Sequence, residues 1–204
     1  MINNIEIIKP FLVFNSVDDF YIIEIIKRRK ENPTLETGSV HINNYFITSM
    51  KELDKYMPDI KAICDATNSR AYINLNSRSF KMIALHMNKK IGEILVSGDY
   101  KYARKAYISE VHSHTNQKDK LWVVDVDWVD MISSFNKEGK YVYSELESLV
   151  MKLQEETGVE PNIVKVPTKN GVHLISKPFN LKKFKEVYPL IDVHKNSPTL
   201  LMIP

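Results

Sequence analysis

Asp125-Val126-Asp127 is the segment of this chain with the most chemical content. It follows Leu121-Trp122-Val123-Val124, whose β-branched and aromatic residues predict a central strand, apolar on both faces, over 121–127. Side chains at i and i+2 of a strand share a face, so the two carboxylates stand side by side near the strand end. Adjacent carboxylates repel and raise each other's proton affinity. A divalent cation relieves that repulsion, and hard oxygen donors suit Mg²⁺ or Mn²⁺, the ions of phosphoryl-transfer sites. The alternative is a solvated Asp127 at a strand end beside a turn acid, Asp125. His173, within Lys169-Asn170-Gly171-Val172-His173-Leu174-Ile175-Ser176, shares a strand face with Ile175. It is either a hydrogen-bonded core or edge residue or a donor to a phosphate oxygen just beyond a lysine-containing turn. Asp192 ends the apolar approach Pro189-Leu190-Ile191 and repeats the strand-end acid pattern.

Those residues need a sheet to hold them, and the second half of the chain reads as one. After the 121–127 strand, 144–156 predicts a helix with Leu146, Leu149, Val150 and Leu153 inward, closed by Gly158. A strand over 162–167, a hairpin turn at Thr168-Lys169-Asn170-Gly171 and a return strand over 172–176 follow. A short helix over 181–187 ends at Tyr188-Pro189, and 200–203 closes as a strand.

The first hundred residues read as mixed α and β. A strand is expected over 5–14, interrupted at Lys9-Pro10. A helix capped by Ser16 or Asp18 runs through 20–26 into Lys27-Arg28-Arg29-Lys30, a solvated end whose charge suits a helix C-terminus. Alternation predicts a strand over 40–49, and Ser49 starts a helix stopped at Pro58. Residues 62–65 are ambiguous, and 70–76 predicts a half-buried strand. Ser77 or Ser79 caps a helix with Phe80, Ile83, Ala84, Met87, Ile91 and Leu95 near one face, and helix resumes through 102–107. His112-Ser113-His114 is expected to be a polar loop rather than a metal pair, because no third ligand is near in sequence. Trp122 and Trp128 read as core residues rather than base-stacking ones.

Composition narrows the function classes. With 44% hydrophobic and 26% charged residues, the 204-residue chain has the makeup of an ordinary globular protein rather than a disordered one. No apolar run reaches the eighteen or so residues of a membrane span, and the N-terminus lacks the pattern of a signal peptide. Cys64 is the only cysteine and reads as a buried thiol, so no internal disulfide forms and a reducing cytoplasm is expected. Neither G-x-G-x-x-G nor G-x-x-x-x-G-K-[ST] occurs, which disfavours Rossmann and P-loop readings. The net charge of +3 is mild, but basic residues outnumber acids eight to two over 69–105 and seven to two over 162–204. That distribution suits a polyanionic partner.

In their order, the motifs resemble those of the archaeo-eukaryotic primase superfamily, including its primase-polymerase members. Val123-Val124-Asp125-Val126-Asp127 is similar to the family's apolar lead into Asp-x-Asp. Thr168-Lys169-Asn170-Gly171-Val172-His173 resembles its second motif, with threonine where serine is usual. Ile191-Asp192 resembles its third, a role that Asp130 or another acid could take instead. Gly171-Val172-His173-Leu174-Ile175 followed by Pro178-Phe179-Asn180 is similar to small phage-borne relatives. The resemblance covers roughly 120–204, and the first 115 residues carry no assignable motif. It implies an α+β fold: an RRM-like, mostly antiparallel sheet with helices on one face over 116–204. To this is joined an N-terminal α/β module over 1–115, the two forming one compact catalytic unit.

The activity implied is a DNA primase/polymerase-like transfer of a nucleoside monophosphate from an NTP or dNTP to a 3′-hydroxyl during DNA replication. Asp125, Asp127 and Asp192 would be catalytic and hold two divalent metals, Mg²⁺ or Mn²⁺. Thr168, Lys169 and His173 would bind the nucleotide, and Arg70, Arg78 and Lys81 the single-stranded DNA template. Nucleoside triphosphates and a replicative helicase are the further partners, in a bacterial or phage-infected cytoplasm and without a membrane. The zinc-binding cysteine and histidine set of many family members is missing from this sequence. A metal-dependent nuclease and a catalytically inactive nucleic-acid-binding relative are the alternatives.

Overall fold

The computed structural model describes residues 2–115, 120–127 and 142–204, with the side chains of 142–144 left aside. Trp128 and Asp130, read above as a core residue and an alternative acid, lie outside the described residues. In chain order the elements are β1 (Ile2–Asn3), α1 (Ile5–Ile8), β2 (Asp19–Arg28), β3 (Ser39–Ile47), α2 (Met50–Thr67), β4 (Arg70–Ile73), β5 (Arg78–Ser79), α3 (Phe80–Ser97) and α4 (Ala103–Ser113). After them come β6 (Trp122–Asp127), α5 (Val142–Glu156), β7 (Ile163–Pro167), β8 (Gly171–Ser176), α6 (Leu181–Val187), β9 (Asp192–His194) and β10 (Thr199–Ile203). The protein is α+β, and every strand pairing among the described residues is antiparallel.

The first sheet runs β1-β10-β4-β2-β3, with β5 also paired to β2. Its centre is β2, where a cap at Ser16 or Asp18 and the basic run at 27–30 predicted a helix. Ile22, Ile23 and Ile25 are fully buried, because β2 is flanked by β3 on one side and by β4 and β5 on the other. Ile22 packs with Phe20, Ile83, Met87 and Val111 under α3 and α4. Ile23 and Ile25 pack with Leu53, Ile60 and Cys64 of α2. A run that is apolar on both faces has no period to separate a buried strand from a buried helix, and the stiff isoleucines favour the strand. Residues 5–11 correct another expectation: they form α1 and a 3₁₀ turn, Lys9–Phe11, rather than a strand.

Two helix starts follow their capping chemistry. The Ser49 hydroxyl accepts from Glu52 N at 3.2 Å, an N-cap bond, and Glu52 Oε2 accepts from Thr48 N at 2.9 Å, one residue before the cap. The Ser79 hydroxyl accepts from Met82 N at 3.3 Å, and Gly98, at φ 74°, closes α3 in the left-handed region. Pro58 does not stop α2, which continues to Thr67. An interior proline costs about 3 kcal/mol. Burial of Ile60 and Cys64 beyond it outweighs that cost, because packing of the apolar face dominates helix stability. The predicted apolar face of α3 is buried only in its first half: Ile83 and Met87 are covered, whereas Ile91 and Leu95 are exposed.

The second sheet runs β7-β8-β6-β9. One face carries Trp122, Val124, Val126, Val172 and Leu174 against Leu146, Val150 and Leu153 of α5 and Phe184 of α6. From the other face Val123, Val166 and Ile175 join the core of the first sheet, beside Ile23, Ile73 and Leu201. The two sheets are also tied by polar bonds. Asn4 is buried and donates to Pro167 O at 2.9 Å and Leu200 O at 3.0 Å. Asn76 and Leu121 exchange bonds of 2.9 and 2.8 Å, fixing the start of β6. The chain returns at its end: β10 lies between β1 and β4. Residues 199–203 therefore complete the first sheet, so the unit expected over 1–115 is not contiguous in sequence.

Candidate active site

Strand register assembles the site. In the β6–β8 pairing Asp125 stands opposite His173 and Asp127 opposite Gly171, and in the β6–β9 pairing Asp125 stands opposite Asp192. Directly paired residues share a face, so three separated sequence motifs converge on one patch of sheet. The patch forms one wall of a cleft of about 610 Å³, lined there by Asp125, Asp127, His173, His194, Thr168 and Asn170. The first sheet supplies the facing wall with Ile26, Arg28 and Lys30 from the end of β2 and the turn after it, and Arg70 and Tyr72 from β4. Ile26 and Arg70 are register partners, so these side chains also share a face. The cleft is bipolar: carboxylates and imidazoles on one wall, guanidinium and ammonium groups on the other.

His173 is fixed from both ring nitrogens. Nδ1 lies 2.9 Å from Thr199 Oγ1, and Nε2 lies 3.4 Å from Asp125 Oδ1. Its side chain is 12% exposed, so it is a wall of the cleft rather than an open ligand arm. That hydrogen bond draws the Asp125 carboxyl below its ordinary range; burial opposes it, and the fields of His173, His194 and Arg28 reinforce it. The repulsion expected to raise the proton affinity of Asp125 is therefore overturned. Facing it, Arg28 Nη1 donates to Tyr72 OH at 3.2 Å, a bond that raises the arginine's proton affinity further.

The other sequence-derived candidates separate. Thr168 lines the cleft, and its N–H donates to Gly171 O at 3.1 Å to close the hairpin. Lys169, half-exposed, reaches across to Glu31 Oε1 at 3.4 Å. Arg70 lines the cleft but its guanidinium donates to the same Glu31 oxygen, and both side chains are buried. Burial pushes the Glu31 carboxyl up, yet Arg70 and Lys169 outweigh it and the net shift is downward. Asp192 is 74% exposed, 3.8 Å from Lys185 Nζ, and outside the cleft lining although its backbone pairs with Asp125. Arg78 corrects an expectation outright. It is fully buried, donating to Val111 O at 2.9 Å, to Asn76 O and to Asn196 Oδ1 at 3.3 Å, and so cannot touch a nucleic-acid chain from the surface. Lys81 is exposed on α3. Trp122 is buried against Phe179, as a core residue. Burial pushes the Cys64 thiol up to about 11, consistent with an inert buried cysteine.

Sequence reasoning missed Arg28, Lys30 and His194. The Asp192-Val193-His194 alternation was the available signal for the last. The first two were hidden by reading β2 as a helix.

Gly171 is what lets the hairpin close on the carboxylates. A Cβ there would stand 2.0 Å from Val126 O and 2.9 Å from Asp127 Cα. Gly171→Ala must push β8 away from β6 beside Asp127, and overpacking of this kind costs about 1–3 kcal/mol. Denaturant unfolding should register that loss; a variant as stable as the parent would show that the strands do not need this approach.

No protein-family model, curated protein or solved structure matches this chain.

Proposed function

We propose that the cleft is a nucleotidyltransferase site of the primase-polymerase type, joining a nucleoside monophosphate to a 3′-hydroxyl. The observation that carries this reading is the bipolar cleft, with Asp125 and Asp127 facing Arg28, Lys30 and Arg70. Nucleotidyl transfer needs both walls: acids to hold a divalent cation and bases to hold the polyphosphate that leaves. The β-α-β-β-α-β order of the second sheet, with strand order β7-β8-β6-β9, supports reading that unit as RRM-like.

Asp125 and Asp127 offer only hard carboxylate oxygens, which fit Mg²⁺ or Mn²⁺, and those ions would supply charge neutralisation at the transferring phosphoryl group. The remaining roles belong to the chain. The 3′-hydroxyl oxygen attacks the α-phosphorus as its proton passes to solvent, the bond from the α-phosphorus to the α–β bridging oxygen breaks, and pyrophosphate departs toward the cationic wall. Arg28 and Lys30 would hold the leaving phosphates. His173 is a positioning residue, locking Asp125 through Nε2 while Thr199 anchors Nδ1. Asp192 is close enough in the backbone to serve as a third acid, since antiparallel partners stand about 4.5–5.5 Å apart at Cα.

The test is incubation with a single-stranded DNA template, Mn²⁺ or Mg²⁺, and labelled nucleoside triphosphates. New or lengthened strands are expected. Shortened strands would identify a nuclease, and the absence of metal-dependent triphosphate affinity a non-catalytic binder.

Lys81 and Lys89 on α3 are exposed and so open to a template, unlike the buried Arg70 and Arg78. Lys81→Ala with Lys89→Ala should weaken single-strand binding more at low salt, reducing the salt slope by about 0.7 per lost phosphate contact. An unchanged slope would mean that this helix face is only solvated.

A further inference from the structure

We propose that His86, Glu110 and His114 bind one zinc-class divalent ion that clasps α3 to α4, away from the carboxylate cleft. His86 comes from α3, Glu110 from the last turn of α4, and His114 from the residue that ends that helix. Their donor atoms all lie within 4.8 Å of one another. His114 Nε2 is 2.7 Å and His86 Nδ1 3.6 Å from the same oxygen, Glu110 Oε2, and the two ring centroids are 3.8 Å apart. Tetrahedral ligands at bond lengths near 2.0–2.1 Å stand about 3.4 Å apart, between those two separations.

His112 and His114 were read as a polar loop because a third ligand was missing nearby in sequence. Glu110 lies only four residues before His114, and the structure adds His86 from 28 residues upstream while separating His112 from His114. His112 turns to Glu24 Oε1, 3.5 Å away, and His114 to Glu110.

Charge and burial support a cation here. Glu110 is 8% exposed, and its ion-pair partners among the described residues are these two imidazoles. A buried carboxylate needs compensating donors or a cation, and a divalent ion held between the two rings would supply that charge. The donor set selects the ion. Two imidazoles and one carboxylate suit Zn²⁺ and its first-row neighbours, whereas Mg²⁺ and Ca²⁺ prefer all-oxygen sites such as Asp125 and Asp127. Three protein ligands leave a position open, and both rings are more than a third exposed, so the ion has a path in. Glu110 also lines a second cleft of about 340 Å³ between α3 and α4.

The clasp has a structural purpose. Five buried residues, Phe20, Ile22, Ile83, Met87 and Val111, form the apolar cluster under these helices, while Leu95 and Val96 of α3 are exposed. An ion bound only by the folded arrangement adds its binding free energy to stability.

Cobalt(II) is the probe, titrated into the chelator-treated full chain. One equivalent should bind with visible ligand-field bands, and Zn²⁺ should displace it. Removing even an outer-shell partner costs about 10–100-fold in metal affinity. His86→Ala and His114→Ala should each lose at least that much, with melting temperatures in chelator close to the parent's. Asp125→Asn with Asp127→Asn should keep the bands. Zn²⁺ should raise the melting temperature of the unmodified chain well beyond any rise that Mg²⁺ gives through the carboxylate cleft, a readout that does not depend on any variant folding. Bands that survive both histidine changes, or that vanish with the two asparagines, would overturn the assignment. So would an unmodified chain whose melting temperature Zn²⁺ leaves unmoved.

Discussion

Asp125→Asn combined with Asp127→Asn should abolish metal-dependent strand synthesis, a loss on the order of a thousandfold or more. Each substitution keeps the side-chain shape and removes the anionic oxygen that a hard cation requires. Metal-borne charge stabilisation is worth several kcal/mol, and each 1.36 kcal/mol is tenfold in rate. Stability should respond differently. The folded Asp125 carboxyl titrates below its unfolded counterpart, because His173 bonds to the charged form. It therefore contributes stability at pH values above the ordinary carboxylate range, and that contribution is lost as pH falls through the depressed folded value. Asp125→Asn removes this contribution, so thermal stability should fall slightly near neutrality and depend less on pH as it drops through and below the ordinary carboxylate range. The free protein gains nothing from relieved repulsion, since the histidine already offsets it. Synthesis assays on the double variant and melting curves of the single one separate the two effects. Undiminished synthesis in the double variant would remove these acids from the mechanism.

Arg78→Ala should destabilise the fold by roughly 3–5 kcal/mol, because its buried neutral acceptors lose their donor at about 1–3 kcal/mol each, partly offset by no longer burying a charge. The guanidinium joins three parts of the chain. It donates to Val111 O in the last turn of α4, where helix carbonyls lack internal partners. It also donates to Asn76 O after β4 and to Asn196 Oδ1 between β9 and β10. Asn196 in turn donates to His112 O at 2.8 Å and accepts from Asn74 Nδ2 at 2.8 Å, so the loss would spread through a shared network. Burial lowers the Arg78 pKa to about 10, and the side chain stays charged at neutral pH. For a chain of this size the melting temperature should drop by roughly 6–20 °C, at about 2–4 °C per kcal/mol. Single-stranded DNA affinity of the folded fraction should stay unchanged. A fully stable Arg78→Ala variant with weakened DNA binding would invert this assignment and return the residue to the surface role that its charge suggested.

The residues that determine a local pattern were legible from the sequence. The strand at 122–127, the hairpin around Thr168 to Gly171, the helix at 181–187 and the Ser49 and Ser79 caps all depend on neighbours within a few positions. So did the pairing of Asp125 with Asp127 on one face, which period two dictates wherever the strand lies. What lay beyond that reach was decided by packing. β2 became a strand because other strands cover both its edges and helices both its faces, none of which its own residues record. Arg28 and Lys30 gained a place in the cleft as a result, while Arg78, equally basic, was drawn inside by carbonyls from distant segments. The opposition of Asp125 to His173 and Asp192 is likewise a matter of register. Register is set by which faces must be buried together, and a slip of one residue would turn His173 to the α5 side of the sheet. Side-chain period and capping are short-range and readable in one dimension. Charge burial and strand partnership depend on segments tens of residues apart, and only the folded chain brings those together.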